Sequence, residues 1–529
     1  MSHAPRDSVY ADTVIEGQHH GSASIKAQLA SWHANRGNRS FLSAMIPRWY
    51  TPPQGEEQTT KNPIKLLRMV GPMGWLMFFS GWFAWTCDGY DFFAVSLTVS
   101  RLAKQFEVNT KHITTAITLT LLFRSLGALL FGVLADRFGR KWTLVSNLLL
   151  IAVFELASGF CNTYSQFLAV RSLFGIAMGG IWGQAAATAL ENVPVAARGL
   201  CSGIMQQGYS VGYLLAAVIN LGVVPKSKYT WRSLYFIGAG FSVAAAIVRA
   251  CLPESQQFLL AREEAKASGR TTKQATRAFF REVRVMLKTN WLRWIWAVCM
   301  MTGFNFFSHG SQDLFPTYMK SKGLSDSLAS KATIIGNCGA IVGGTIFGYC
   351  SQYMGRRLAI LFCLCYTAAW IPLWILPSSF SGLSAGAFMV QSGVQGAWGV
   401  VPIYLGEVAP PAFRATFAGL AYQLGNMASS AAAQIEADAG DSIKLPNGTP
   451  DYATILGILI GAVIAWMIVC VFLGPEADGA HFEQAHVAYQ DGAGEVTHKE
   501  LVDPMRVTKP GEVGTIEHKE TVEKGHTMA

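Results

Sequence analysis

Stretches of about 20 apolar residues, each long enough to cross a bilayer core as a helix at roughly 1.5 Å per residue, recur along this chain. They fall at 71–98, 112–134, 142–161, 165–190, 200–224, 232–252, 291–319, 329–350, 358–377, 381–405, 414–436 and 452–473. Twelve such windows leave little freedom of architecture, because in hydrocarbon every backbone polar group must be satisfied within its own segment. The chain is read as an all-α polytopic membrane protein with 12 transmembrane helices. Its 14% of charged residues supports this, since soluble domains carry about 25%.

Basic residues orient the spans. Lys61, Lys65 and Arg68 precede span one, and Arg262, Lys266, Arg270, Lys273, Arg277, Arg281, Arg284 and Lys288 crowd the central loop. Both segments and both termini are therefore placed in the cytosol, although Arg101, Lys104, Lys226, Lys228, Lys320 and Lys322 then fall outside. The resulting division is a disordered cytosolic tail at 1–68, a six-helix bundle at 69–252, a basic cytosolic linker at 253–290, a second bundle at 291–474 and a disordered cytosolic tail at 475–529. Residues 1–68 lack the apolar run of a cleavable signal peptide. The net charge of +9 is assigned to anionic lipid beside the cytosolic segments and needs no nucleic acid. The ten cysteines lie in or beside apolar spans without metal spacing, so no metal site is expected. Asn447-Gly-Thr449, in an outer loop, is a glycosylation candidate, whereas Asn38-Arg-Ser40 in the cytosolic tail is not.

Two loops repeat in one register. Gly132-Val-Leu-Ala-Asp136-Arg137-Phe-Gly139-Arg140-Lys141 returns as Gly348-Tyr-Cys-Ser-Gln352-Tyr-Met-Gly355-Arg356-Arg357, 216 residues on. Glu191-Asn-Val-Pro194-Val-Ala-Ala-Arg198 returns at the same offset as Glu407-Val-Ala-Pro410-Pro-Ala-Phe-Arg414. A third pair, Pro253-Glu254 and Pro475-Glu476, lies 222 apart, which places a short insertion in the loop at 437–451. The chain reads as a tandem duplication of six spans.

In these loops the chain resembles the major facilitator superfamily over residues 70 to 475. The resemblance implies two pseudo-symmetric six-helix bundles around a cavity that opens alternately to either face. It also implies cytosolic gate contacts at Asp136, Arg137 and Arg140 and in the pairs Glu191/Arg198 and Glu407/Arg414. Gln352 stands where the first copy has Asp136, which departs from a symmetrical charge latch.

The 216-residue offset separates scaffold from chemistry. Asp88, Asp91, Arg124 and Arg171 map to Phe304, Phe307, Ala340 and Ala387, while His309 and Asp313 map to Phe93 and Leu97. Charges confined to one half suit one asymmetric ligand. Glu155 and Arg171 lie at similar depth in adjacent spans and read as a structural ion pair. Asp88 and Asp91 either carry protons or cap helix ends near the outer surface. Arg124, about 18 Å along its helix from Asp136 and without a partner nearby in sequence, suits a carboxylate ligand.

Span seven is the least scaffold-like. Asn305, Ser308, His309, Ser311, Gln312, Asp313 and Thr317 fall within 13 positions, beside Gly303, Gly310 and Pro316. Asn305, His309, Asp313 and Thr317 are spaced i, i+4 as a ladder on one helix face. An ionisable group at mid-membrane costs about 2.5 to 3.5 kcal/mol on insertion scales, so it usually faces a wet cavity. Histidine titrates near pH 6.5 and an aspartate can hold a proton where ionisation is disfavoured, so either can couple transport to protons.

The same residues resemble the Asn-x-x-Ser/Thr-His-x-Ser/Thr-Gln-Asp-x-x-x-Thr pattern of the fungal Jen-type lactate/pyruvate:proton symporters, which also have an arginine in span two, matched by Arg124. The resemblance implies uptake of short monocarboxylates across the plasma membrane. It puts Arg124, Asn305, Ser308, Ser311, Gln312 and Thr317 at the substrate, and His309 and Asp313, with Asp88 and Asp91 as further candidates, on the proton. Gln206, Gln207, Tyr209 and Gln423 are candidates for size selection. One monoanion with one proton is electroneutral. Dicarboxylates, aromatic acids and a non-transporting carboxylate sensor are the alternatives. Ubiquitin-ligase and arrestin machinery are expected on the tails. No nucleotide loop, metal cluster or nucleophile triad points to an enzyme, and no cofactor beyond the co-transported proton is expected.

Overall fold

The computed structural model describes residues 45–49, 61–254, 259, 272–410, 413–444 and 451–475. Asn38, Asn447, Glu476 and most of both tails lie outside the described residues, as do the side chains of Arg414 and Ala415. Twelve helical rods run through the described part: span one (Pro72–Phe106), two (Thr110–Phe138), three (Arg140–Phe160), four (Tyr164–Gly179 and Ile181–Leu190), five (Arg198–Gln206 and Gly208–Gly222), six (Arg232–Cys251), seven (Trp291–Gln312 and Phe315–Ser321), eight (Asp326–Met354), nine (Arg356–Ile375), ten (Phe380–Val408), eleven (Arg414–Ser429 and Ala432–Ser442) and twelve (Tyr452–Leu473). A further helix, Thr272–Thr289, occupies the linker. The loop expected at 437–451 starts late, because span eleven stays helical to Ser442.

Seven helices are long and apolar enough to cross a membrane by length and composition alone: spans two, three, four, six, eight, nine and twelve. The remaining spans one, five, seven, ten and eleven have their apolar runs interrupted by buried polar residues such as Asp88, Gln206, His309, Gln391 and Gln423.

The halves meet along two related contacts, span two on span eleven and span five on span eight. Small residues permit the second. A Cβ on Gly203 would lie 2.5 Å from the Gly344 carbonyl oxygen, and one on Gly348 would lie 2.5 Å from Gly203 Cα. Backbones approach this closely in membranes only where side chains are absent. The repeated loops turn on Gly139 and Gly355, whose φ of 101° and 86° are left-handed values that a side chain would strain.

These loops bring their acids and arginines together at one end of the bundle. Glu191 is paired with Arg140, and Glu407 takes Arg356 through both oxygens at 2.9 and 3.0 Å. Each acid thus bonds the arginine of the preceding repeat loop, at positions related by the same 216 residues. Of the expected pairs Glu191/Arg198 and Glu407/Arg414, Arg198 has its Nε donating to the Val193 carbonyl at 3.0 Å, and the Arg414 side chain lies outside the described residues. Arg137 is half-buried with its guanidinium over Phe138. Glu254 accepts from the Arg140 and Lys141 amides at 3.3 and 3.0 Å and caps span three.

Asp136 crosses to the other half, accepting from the Thr416 amide at 3.2 Å and from its hydroxyl. Gln352 makes the converse crossing, accepting from the Gly199 amide at 3.2 Å. Both side chains cap the start of a helix in the opposite bundle, where free N–H groups and the helix dipole favour an oxygen acceptor. A neutral amide oxygen serves that purpose as a carboxylate does, so Gln352 keeps the symmetry of the latch without its charge.

Candidate functional site

Span one carries Asp88 and Asp91 through the interior of the first bundle. Both are buried in mid-helix, which removes the helix-cap reading. Asp88 Oδ2 accepts from Arg124 Nη2 at 2.5 Å, with both side chains fully buried. Arg124 therefore has a partner that its own span does not reveal, because the two residues are 36 apart in sequence and meet only when spans one and two pack. The pair is incompletely bonded: Arg124 Nε and Nη1 and Asp88 Oδ1 have no hydrogen-bond partner.

Asp91 faces elsewhere. Its Oδ2 accepts from Ser242 of span six at 3.0 Å, and its backbone carbonyl accepts from Arg171 Nη2 at 3.4 Å. Arg171 Nη1 stands 2.7 Å from Glu155 Oε2, with Phe174 3.8 Å from the guanidinium carbon. Asp91 thus belongs to the packing of spans three, four and six, apart from Arg124.

The ladder of span seven is continuous only to Asp313. The helix breaks at Asp313 and Leu314, and Pro316 opens the next turn, so Thr317 sits half-buried beyond the break. Asn305 Nδ2 donates to the Met301 carbonyl at 2.8 Å and to the Tyr422 carbonyl of span eleven at 3.2 Å. Ser308, Ser311 and Gln312 form a network with Gln391 of span ten. Ser308 donates to Gln312 Oε1 at 3.1 Å, Gln312 Nε2 to Gln391 Oε1 at 2.7 Å, and Gln391 Nε2 to Ser311 Oγ at 3.1 Å. Beside it lies a void of ≈ 10 Å³ that Tyr213, Thr333 and Asn337 also line, about the space of one water molecule.

His309 is held at both ring nitrogens. Nδ1 faces the Asp313 carboxylate at 3.1 and 3.2 Å, and Nε2 faces Asn426 Oδ1 at 3.1 Å. The amide assignments form one chain: Gln423 Nε2 donates to the Gly179 carbonyl of span four at 3.4 Å, so its Oε1 accepts from Asn426 Nδ2 at 2.7 Å, which turns Asn426 Oδ1 toward His309. The ring thus lies between a carboxylate on one side and a side-chain amide on the other. A carbonyl in the first bundle thereby orients a titratable group in the second.

Phe92 of span one lies between the two charged clusters. The Arg124 guanidinium is 5.6 Å from its ring centroid and the His309 ring is 5.5 Å away, edge to face. Arg124 and His309 are thus separated by one aromatic ring. Trp85, Phe93, Tyr209 and Tyr422 pack around this point, with Tyr209 stacked on Trp85 at 5.0 Å and tilted against Phe93 at 5.1 Å. Gln206 accepts from Trp182 Nε1 at 3.1 Å, and Gln207 donates to the Gln395 carbonyl at 3.4 Å, so both serve the interior packing. Away from the latched end, a cavity of ≈ 200 Å³ opens between the halves, lined by Leu97, Ser100, Arg101, Asn220, Lys320 and Asp326 among others.

Sequence reasoning did not single out Phe92, Gln391, Asn426 or Glu436. Gln391 and Asn426 carry the signal used for span seven, a polar side chain in an apolar helix, while Phe92 carries none.

A sequence profile of the Major Facilitator Superfamily matches residues 74–433. A carboxylic acid transporter protein homolog of Saccharomyces cerevisiae is 36% identical over 438 residues, covering 78% of this chain and 70% of its own length. A sialic acid transporter of Escherichia coli is 25% identical over 405 residues, covering 74% of this chain and 95% of its own. Among solved structures, a proton:xylose symporter of the same superfamily superposes with a TM-score of 0.60 at 17% identity, covering 78% of this chain and 98% of its own, a likeness of fold.

Proposed function

We propose that this chain, which belongs to the major facilitator superfamily, is a proton-coupled symporter that imports short monocarboxylates such as lactate and pyruvate by alternating access. The latched end is the cytosolic side, both termini are cytosolic and the membrane is the plasma membrane. The observation that carries the reading is the Asp88–Arg124 pair, set one aromatic ring from the His309–Asp313 pair. Similarity to a carboxylic acid transporter homolog supports the substrate class.

Asp88 holds Arg124 in the way a substrate carboxylate would. In this mechanism the incoming carboxylate takes Arg124, whose Nε and Nη1 donors are free, and Asp88 gives up its ion pair. An ionised carboxylate left unpaired in this interior costs several kcal/mol, so Asp88 takes a proton as it lets go. Substrate and proton bind together for that reason. The His309–Asp313 pair is the second proton-holding group, and Asn305, Ser308, Ser311 and Gln312 trade their internal hydrogen bonds for substrate oxygens; Thr317 lines the approach. One monoanion and one proton move without net charge, and each pH unit across the membrane supplies about 1.4 kcal/mol, roughly tenfold accumulation.

The test is uptake of labelled lactate into proteoliposomes with a competition panel of pyruvate, acetate, succinate and benzoate. The reading expects uphill uptake driven by an acidic exterior, abolished by a proton uncoupler and inhibited by pyruvate. Uptake indifferent to the uncoupler would refute coupling, and stronger inhibition by succinate or benzoate would refute the monocarboxylate preference. Glycan on Asn447 with none on Asn38 is the outcome that fits the orientation, and the reverse would invert it.

A further inference from the structure

Glu436, in the second helix of span eleven, is an acid with no assigned task. It is 1% exposed, and neither Oε1 nor Oε2 has a hydrogen-bond partner. The surface it meets is span seven at Gly310, where a Cβ would come 3.3 Å from Oε1 and would also meet Leu459 and Ile460 of span twelve at 3.0 and 3.5 Å. Glycine at 310 therefore brings the carboxyl against the back of span seven, one helical turn from Asp313. Asp313 is the charged group whose field reaches Glu436, and Asp313 in turn faces His309. Span twelve meets it with apolar side chains, and span two brings the uncharged Thr115 and Thr118 to Gln434 and Ser430 of the same rod. On its own helix, Asp438 is exposed on another face.

Among the described residues this carboxyl has no donor and no cation beside it, and an unpaired charge buried in such a place is costly, so it is a place for a protonated acid.

We propose that Glu436 is a proton-holding residue of the coupling path, the acid that exchanges a proton with Asp313 from the side of span seven that bears Gly310. This rests on the proton-symport reading above. In the exchange the Glu436 O–H bond breaks as an Asp313 O–H bond forms, and the sum of charge on the two carboxyls is unchanged. The proton is replaced from water when alternation opens the helix break at Ser430–Ala431. With Gln at 436, Asp313 has no exchange partner, so substrate still crosses but is no longer tied to a proton gradient.

The experiment compares two modes in proteoliposomes of the full chain: exchange of labelled for unlabelled lactate at equal pH, and accumulation driven by an acidic exterior. Glu436→Gln is expected to keep exchange within about twofold of wild type while accumulation falls by about tenfold or more, and Glu436→Asp is expected to recover accumulation. Wild-type accumulation by Glu436→Gln, or equal loss of both modes, would overturn the proposal. An independent measurement on wild type needs no variant: a membrane-permeant carbodiimide, which reacts with protonated buried carboxyls, is expected to label Glu436 in a manner that declines as pH rises, and absence of label at every pH would also overturn it. A wild type that does not accumulate lactate against a pH gradient would instead break the symport reading.

Discussion

Two arginines lie buried in the first bundle, each against one carboxylate, and their surroundings differ. Arg171 is the more fully bonded: Nη1 is on Glu155, Nη2 on the Asp91 carbonyl, and the face of the guanidinium lies on Phe174, leaving only Nε without a partner among the described residues. Arg124 makes one strong bond, to Asp88, with Met178 Sδ as a weak second acceptor at 3.5 Å, and two of its nitrogens have no partner. Charge, residue type and burial are the same, yet Arg171 has an acid at similar depth in the adjacent span, whereas the partner of Arg124 shows only when spans one and two pack. The difference is that Arg171 sits among helices of one bundle, whereas Arg124 sits where Phe92 is shared with a histidine of the other bundle. A buried charge bonded among the helices of one bundle reads as architecture; one at the seam between the two halves, with two donors unpartnered among the described residues, is the candidate for a ligand.

The largest expected effect on this contrast comes from removing each guanidinium. Arg124→Ala lowers lactate kcat/KM by about 100-fold or more, the loss of a charge-assisted carboxylate contact, while protein in the membrane stays near wild type. Arg171→Ala does the reverse: it strands Glu155 and destabilises the bundle by about 3 to 5 kcal/mol, read as lost membrane protein. A double replacement, Glu155→Leu with Arg171→Met, is expected to restore membrane protein and keep uptake within about threefold, since exchanging both buried partners for apolar groups is often neutral. Equal transport defects at Arg124 and Arg171 with normal membrane levels would break the comparison.

A second prediction sharpens the role of Asp88. Asp88→Asn frees Arg124 without supplying a titratable group. Lactate exchange at equal pH is expected to survive, with KM lowered about threefold, while pH-driven accumulation is lost. Exchange and accumulation lost together would mark Asp88 as structural.

Gln391→Ala is next. It removes a hydrogen-bond partner of Gln312 and Ser311 and is expected to raise KM by about fivefold, on the order of 1 kcal/mol, with the pH profile unchanged. The smallest effect is at the latch. Asp136→Asn is expected to cost less than about twofold in uptake rate, because Gln352 makes the matching crossing with an amide oxygen; a loss of tenfold would show that charge there matters.

The rods, their number and the duplication were legible in the sequence because they depend on local properties, apolar length and repeated loop motifs. The ladder was legible for the same reason, as polar residues at helical spacing in an apolar run. Pairings between distant spans were not. Asp88 and Arg124 belong to different helices, and helical periodicity gives the direction of a side chain without giving its neighbour. The Glu191–Arg140 contact was hidden in a related way, because it joins two different loops that meet only in the packed bundle. Glu436 escaped notice because a single acid near a predicted span end looks like a solvated one, and only the packing of Gly310 against it shows otherwise.

The most direct measurement of the central claim is proton movement on lactate addition to proteoliposomes containing wild type or Arg124→Ala. The account predicts external alkalinisation in wild type, equal in amount to the lactate taken up and weakening as external pH rises through the histidine range near 6.5, and none with Arg124→Ala. Lactate uptake by wild type without alkalinisation, or wild-type alkalinisation by Arg124→Ala, would contradict it.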